Sequence, residues 1–328
     1  MATAGEVGTI KRLAIHPPNW LGDAIMAQPA MRAFIDAMHP EALTLVGKPW
    51  LAELAPWLNL GDTRTSTTMP TDAESVVLFP NSIRVAWAAR QAGIPQRIGF
   101  RGQWRRWLLT DAPCPQIDMM HQHHRDYFLD LAEQCGITPA TRAVELSIPN
   151  DAITAGERLL QAHDLHPART IAIAPGAQFG GAKRYPTERY QQIAAALHAE
   201  EWHLLVIGTN AERAIGDRVV AEQSNCWNSA GETSLTQALQ LIIASRLLLC
   251  NDSGLMHVAA GIGKPVVAIF GATDPKRTAP DGANTSLIYH PAPCSPCLQR
   301  ECTVTGHPCM AAVSPDAVLE RCQSMLIL

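Results

Sequence analysis

Four loops in this chain carry side chains whose types and spacing could do chemistry. Pro175-Gly176-Ala177-Gln178-Phe179-Gly180-Gly181-Ala182-Lys183-Arg184-Tyr185-Pro186 follows a short apolar run and ends in two cations before Tyr185. Its glycines allow close backbone approach. Lys183 is the kind of point charge a phosphate takes, or else a surface lysine. Asn251-Asp252-Ser253-Gly254 follows the apolar run Leu247-Leu248-Leu249 and opens a small-residue helix from Leu255 to Gly261. At such a start the free N–H groups, here of Ser253, Gly254 and Leu255, and the positive dipole end favour an anion. The plainer alternative is an ordinary cap, with Asp252 or Ser253 satisfying the first turn. Gly208-Thr209-Asn210 ends another apolar run, and Glu212 stands near the start of the next helix. Together with Gly176 these loops suit a diphosphate held without a metal. In the first half, Asn19-Trp20-Leu21-Gly22-Asp23 follows the first apolar run. A carboxylate at Asp23 could deprotonate an attacking hydroxyl, or could simply cap the next helix.

Two further clusters stand apart from these loops. Between Ser82 and Thr110 lie Arg84, Arg90, Arg97, Arg101, Arg105 and Arg106, no Asp or Glu, and three interleaved tryptophans, Trp87, Trp104 and Trp107. This reads as a groove for an anionic partner, because arginine forks match phosphate and carboxylate geometry. Read otherwise, it is a solvated helix face plus core tryptophans. The second cluster is Cys294-x2-Cys297-x4-Cys302-x6-Cys309, with His307 inside it. Four thiols at this spacing could hold a structural Zn or Fe, His307 being a substitute ligand. Otherwise they form a loop of reduced thiols. His121, His123 and His124 lack a carboxylate at ligand spacing and read as a polar segment rather than a metal site.

The elements that must position these loops are alternating strands and helices. Arg12–Ile15 reads as a strand. A helix from about 24 to 38 follows, kinked near Pro29, and then a strand at 43–46. A further strand covers 76–79, and helical patterns cover 123–135 and 152–163. A second series begins at residue 170: a strand at 171–174, a helix from Thr187, a strand at 202–207, a helix over 234–245, a strand at 247–249 and a strand at 266–270. The last segment, 315–328, reads as a short amphipathic helix. The fold class is α/β, with two doubly wound, Rossmann-like domains and the chemical residues on loops after the strands. The expected boundary places 1–160 in the first domain and 161–328 in the second, with the last helix packing back on the first.

Composition bounds the function. The 328 residues exceed what one core usually holds, and 47% hydrophobic with 17% charged residues fits a globular chain. A net charge of −4 argues against a nucleic-acid partner. No apolar run approaches a transmembrane span, and the start lacks a signal-peptide pattern, so a cytoplasmic protein is expected. Nine cysteines, an odd number, do not suit a disulfide scaffold. There is no G-x-G-x-x-G after the first strand, no P-loop, no G-x-S-x-G around Ser253 and no Asp-x-Asp, which disfavours dehydrogenases, P-loop NTPases and serine hydrolases.

The order and spacing of Asn19–Asp23, Pro175–Pro186 and Asn251–Ala260 resemble the ADP-heptose:lipopolysaccharide heptosyltransferases of glycosyltransferase family 9. Leu78-Phe79-Pro80-Asn81-Ser82, the stretch Ala92 to Gly102, Ala230-Gly231-Glu232-Thr233 and Cys294-Ser295-Pro296-Cys297 resemble the subgroup that adds the second heptose. The resemblance covers nearly the whole chain. It implies a GT-B fold with the acceptor on the N-terminal domain and the donor on the C-terminal one. It also implies inverting transfer of L-glycero-D-manno-heptose from ADP-heptose to the first heptose of the inner core, with no organic cofactor. Asp23 matches the family's base. Lys183, Gly176, Gly208, Thr209 and the backbone of Ser253, Gly254 and Leu255 would surround the donor, Asp252 would sit near its sugar and Glu212 near its ribose. Asn19, Asn81, Arg97 and Arg101 would face the acceptor, whose Kdo carboxylates and lipid A phosphates call for cations. Because that acceptor is a membrane lipid, peripheral contact at the cytoplasmic face is expected, by a monomer. Two alternatives stay open. One is a GT-B transferase with another nucleotide sugar or core position. The other is a metal- or redox-responsive binding protein built on the cysteine cluster.

Overall fold

The computed structural model describes residues 10–221 and 223–327. They form two compact units, the first ending at Ser147 and the second beginning at Ile148. In the first unit, five parallel strands, β1 (Arg12–His16), β2 (Ala42–Val46), β3 (Thr63–Ser66), β4 (Ser75–Leu78) and β5 (Gln96–Ile98), lie in the order β3-β2-β1-β4-β5. Leu13, Ala14, Ile15, Val76, Val77 and Leu78 are all buried, as a central parallel strand covered on both faces requires. The helix expected over 24–38 is two helices, α1 (Leu21–Met26) and α2 (Gln28–Met38), joined at Ala27. Pro29 falls in the first turn of α2, where its missing N–H costs nothing, so the kink becomes a break. The helices α3 (Leu51–Leu54), α4 (Ile83–Gln91) and α5 (His124–Gln134) complete the unit. Helix α5 packs on α1 and α2, and the rings of Phe34, Phe79 and Phe128 meet edge to face beneath them.

The second unit has six parallel strands: β6 (Thr170–Ala174), β7 (His203–Val206), β8 (Cys226–Asn228), β9 (Leu247–Asn251), β10 (Val266–Phe270) and β11 (Thr285–Tyr289). Their order is β11-β10-β9-β6-β7-β8. The helices are α6 (Ala152–Gln161), α7 (Thr187–Ala199), α8 (Arg213–Val219), α9 (Leu235–Ala244), α10 (Gly254–Gly261), α11 (Pro275–Thr278), α12 (Pro308–Ala311) and α13 (Pro315–Leu326). Helix α6, in the range assigned above to the first domain, packs on α9. The last helix packs on α7 and on β9, β10 and β11 of its own unit, burying Val318, Cys322 and Met325 in that core. In both sheets the strand order reverses beside the first strand, between β1 and β4 and between β6 and β9. Open α/β sheets bind ligands at such a reversal, beyond the carboxyl ends of the two strands.

Candidate functional site

The second unit builds its site around Asn251, the fully buried last residue of β9. Its Oδ1 accepts from Tyr185 N–H and from the Tyr190 hydroxyl, each at 3.0 Å. Its Nδ2 donates to Pro175 O at 2.7 Å and Gly176 O at 3.1 Å. All four hydrogen-bonding positions of the amide are used, and they tie the loop after β6 to the end of β9, across the strand reversal. Next to it, buried Asp252 receives Lys183 Nζ at 2.6 Å and the Thr273 hydroxyl at 2.5 Å on the same oxygen, Oδ2. Lys183 also lies 4.9 Å over the Phe179 ring.

Helix α10 starts immediately after. Ser253 is its N-cap residue, but no side chain caps the helix. Asp252 is committed to Lys183 and Thr273. Ser253 Oγ is buried and, apart from the weak thiol of Cys250 beside it, finds no hydrogen-bond partner. Arg184 Nε is likewise buried without a partner. The ordinary-cap alternative is therefore absent at α10, and the helix presents an unsatisfied N-terminus beside a lysine.

Glu212 joins two of the predicted loops. Its Oε2 accepts from the N–H and hydroxyl of Thr209, at 2.7 and 2.9 Å, closing a capping box. A Cβ on Gly176 would lie 1.8 Å from Glu212 Oε1, so only glycine allows this approach. Gly180 is a second such position: its φ is +153° and a Cβ would fall 2.2 Å from Arg300 O.

In the first unit, Asp23 lies in the first turn of α1, whose N-cap is Trp20 and which has no side-chain cap. The carboxylate instead lies 3.2 Å from His124 Nδ1, at the start of α5, with both side chains largely shielded from solvent. After β4, Asn81 donates to the Tyr127 hydroxyl at 2.7 Å and accepts from Arg105 at 3.1 Å. Arg105 is wholly buried, and that burial pulls its guanidinium down to about 10. Arg105 also donates to Phe100 O at 2.9 Å and to Pro80 O. Arg97 donates to the carbonyls of Leu108, Ile94 and Pro95, at 2.7, 2.5 and 2.9 Å. Arg84, Arg90, Arg101, Arg106 and Asn19 are exposed.

Across residues 70–307 the chain matches the model of glycosyltransferase family 9, the heptosyltransferases. The chain belongs to glycosyltransferase family 9. Lipopolysaccharide heptosyltransferase 2 of Salmonella typhimurium is 30% identical, with 96% of this chain and 98% of that one covered. The enzyme of the same name from Escherichia coli is 28% identical, over 96% and 99%. Among solved structures, E. coli ADP-heptose LPS heptosyltransferase II superposes with a TM-score of 0.81 at 25% identity, over 96% and 98% of the chains. A family 9 transferase of Veillonella parvula superposes at 0.82 with 18% identity, over 99% of each chain. The fold is thus GT-B, and the protein is a glycosyltransferase.

Several contacts at these loops have no counterpart in the sequence motifs. His124 was read as part of a polar histidine segment, and nothing in the sequence pairs it with Asp23, 101 residues away. Thr273 carries no motif of its own. Asn251 was noticed only as the neighbour of Asp252, although a buried Asn ending a central strand signals a polar junction. The cysteine segment braces the donor-side loop: Ala182 N–H donates to Arg300 O, Gly181 N–H to Glu301 Oε1, and His307 Nε2 lies 3.0 Å from Ala182 O. Cys294, Cys297, Cys302 and Cys309 line one cavity of about 70 Å³ with Glu301 and His307. Among the described residues, however, no three His, Cys, Asp or Glu side chains are placed to hold one ion. The Zn or Fe site that the four thiols could form is thus not shown by this arrangement.

Proposed function

We propose that this glycosyltransferase moves L-glycero-D-manno-heptose from ADP-heptose to the first heptose of the lipopolysaccharide inner core. The observation that carries this reading is the buried group at the β6–β9 reversal. Lys183 rests on Asp252 beside the open N-terminus of α10, with Ser253 Oγ left for a ligand. Relatives named for this activity at 30% and 28% identity over nearly the full length support the donor and acceptor.

In the proposed step the acceptor hydroxyl gives its proton to Asp23 as its oxygen attacks the anomeric carbon. The bond from that carbon to the β-phosphate oxygen breaks, and its electron pair leaves with ADP. Attack from the face opposite ADP inverts the centre. The sugar gains oxocarbenium character and the diphosphate gains charge, so fixed donors aimed at the diphosphate do most of the stabilising. Lys183, Ser253 Oγ and the N–H groups of Ser253, Gly254 and Leu255 take that part. Gly176, Gly208 and Thr209 line the donor, Glu212 is assigned to the ribose, and Asp252 sits near the sugar while holding Lys183. Asn19, Asn81 and Arg101 face the acceptor, with Arg97 holding the segment of Arg101 through its contacts to the Ile94, Pro95 and Leu108 carbonyls. No step is routed through the cysteines. Since the acceptor is a membrane lipid, the enzyme works at the cytoplasmic face of the inner membrane, and the reading takes it as a monomer.

The test is mass spectrometry of reactions with ADP-heptose and two acceptors, Kdo-lipid A and the same lipid already carrying one heptose. A gain of one heptose on the second alone is expected. A gain on the first alone assigns the first transfer instead. No gain on either, from folded protein, removes the donor assignment.

A further inference from the structure

The arginine-rich segment divides into an inner and an outer set, and apart from Arg101, assigned to the acceptor, the outer set has no role in the chemistry above. Arg97 and Arg105 turn inward onto carbonyls. Arg84, Arg90 and Arg106 face solvent, as do the tryptophans, which are 44% (Trp87), 59% (Trp107) and 92% (Trp104) exposed. On α4, positions 83, 84, 87 and 90 share one face by helical spacing. That face carries Ile83, Arg84, Trp87 and Arg90, all exposed, while Ala86 and Ala89 turn to the core. The turn Arg106–Leu108 packs on α4, bringing the Trp107 ring to 5.9 Å from Trp87. Nearby, Gln103 and Trp104 have φ of +46° and +60°. The chain thus holds its most exposed tryptophan in backbone that bulky residues seldom adopt.

We infer that this face docks the protein on a bilayer containing anionic lipid. Tryptophan and arginine together are the side chains of a membrane interface. The indole settles at headgroup depth and the guanidinium meets lipid phosphate. The segment from Ser82 to Thr110 has no acidic residue to oppose this, in a chain whose net charge is −4. The cations are therefore local, and within this segment the exposed rings are interleaved with arginines and no acid. No helix among the described residues is long and apolar enough to cross a membrane, so the contact is peripheral. The inference deepens the proposed function by naming the surface that meets the membrane, and its test does not use the transfer reaction.

The experiment is co-sedimentation of the full chain with vesicles of phosphatidylcholine, with or without phosphatidylglycerol, together with tryptophan emission. The expected results are binding to the anionic vesicles only, a blue shift on binding, and reversal by salt. Arg84→Gln and Arg106→Gln should each weaken binding by about fivefold. Trp87→Ser, Trp104→Ser and Trp107→Ser combined should abolish most of the blue shift. Unchanged ADP binding and circular dichroism show that these variants are folded. Equal binding to neutral vesicles, or variants that bind like the parent, overturns the inference. So does binding that appears only when the lipopolysaccharide acceptor is added, which makes the face an acceptor site. Glycerol phosphate reproducing the blue shift and displacing the vesicles also overturns it, because the face then reads a soluble anion.

Discussion

Replacing Asp23 by asparagine keeps the shape of the side chain beside His124 but removes the oxygen that would accept a proton. If Asp23 is the base, the loss should equal what general-base catalysis supplies, about a hundred- to ten-thousandfold in kcat. ADP-heptose KM should hardly move, because the residues assigned to the donor belong to the other unit. The His124 contact sets a second magnitude. A hydrogen bond to a charged group contributes about 1.5–3 kcal/mol, and 3.2 Å is at the long end for such a bond. His124→Gln should therefore cost about tenfold. Because His124 acts through Asp23, the double variant should be no slower than Asp23→Asn alone. The assay is initial-rate release of ADP from purified variants at saturating acceptor, with ADP affinity measured separately by calorimetry. A kcat for Asp23→Asn within about threefold of the parent would refute the assignment. So would a double variant whose losses multiply, since that requires two independent contributions.

Three other perturbations probe the second unit and the first sheet. Asn251→Ala leaves the Tyr190 hydroxyl, the Tyr185 N–H and two carbonyls without their partner. Urea unfolding should show a loss of roughly 3–5 kcal/mol, and a loss below about 1 would mean water replaces the amide freely. Lys183→Gln leaves the Asp252 carboxylate with only Thr273. ADP affinity should fall at least about tenfold, and the protein should also become less stable, because a buried carboxylate is left uncompensated; unchanged ADP affinity would make Lys183 purely structural. Burial lowers the pKa of His16, so its ring gives up its proton more readily in the folded state than in the unfolded one. The unfolded chain then binds more protons, and stability should fall as pH drops below about 6.5 and stay flat above it. His16→Gln should flatten part of that slope in melts followed by circular dichroism, His203, also lowered by burial, supplying another part.

The strands that were legible in the sequence are the interior ones. β1, β4, β6, β9 and β10 are buried along most of their length and read as apolar runs. The four that escaped, β3, β5, β8 and β11, are the edges of the two sheets. Thr63-Arg64-Thr65-Ser66 and Cys226-Trp227-Asn228 have no buried position at all, so nothing forces an apolar pattern on them. The site divides in a similar way. Residues that must stand on a particular loop, such as Lys183 and Asp252, could be found from that loop. Contacts between distant loops, such as Asp23 with His124 or Asp252 with Thr273, leave no trace in a local pattern. Arg97 and Arg105 show the same limit: an arginine can spend its five N–H groups on backbone carbonyls as readily as on a ligand, and charge patterning does not distinguish the two uses.

The pairing of Lys183 with Asp252 bears on how the proposed donor site would meet a diphosphate. With Nζ 2.6 Å from a carboxylate oxygen, the lysine's charge is already balanced before any ligand arrives. A diphosphate bringing further negative charge cannot draw on that pair alone. The balance must come from groups that have no partner now, and the second unit supplies them in the open N-terminus of α10 and the buried Ser253 hydroxyl. These groups are fixed by the backbone and need no reorganisation as charge develops on the leaving group. Thr273 and Lys183 both reach the same Asp252 oxygen. The carboxylate thereby keeps a second oxygen, and the lysine keeps two of its three N–H groups for other partners. In the proposed reading, Asp252 is the group that aims Lys183, and Asn251 is the group whose hydrogen bonds tie the two loops together.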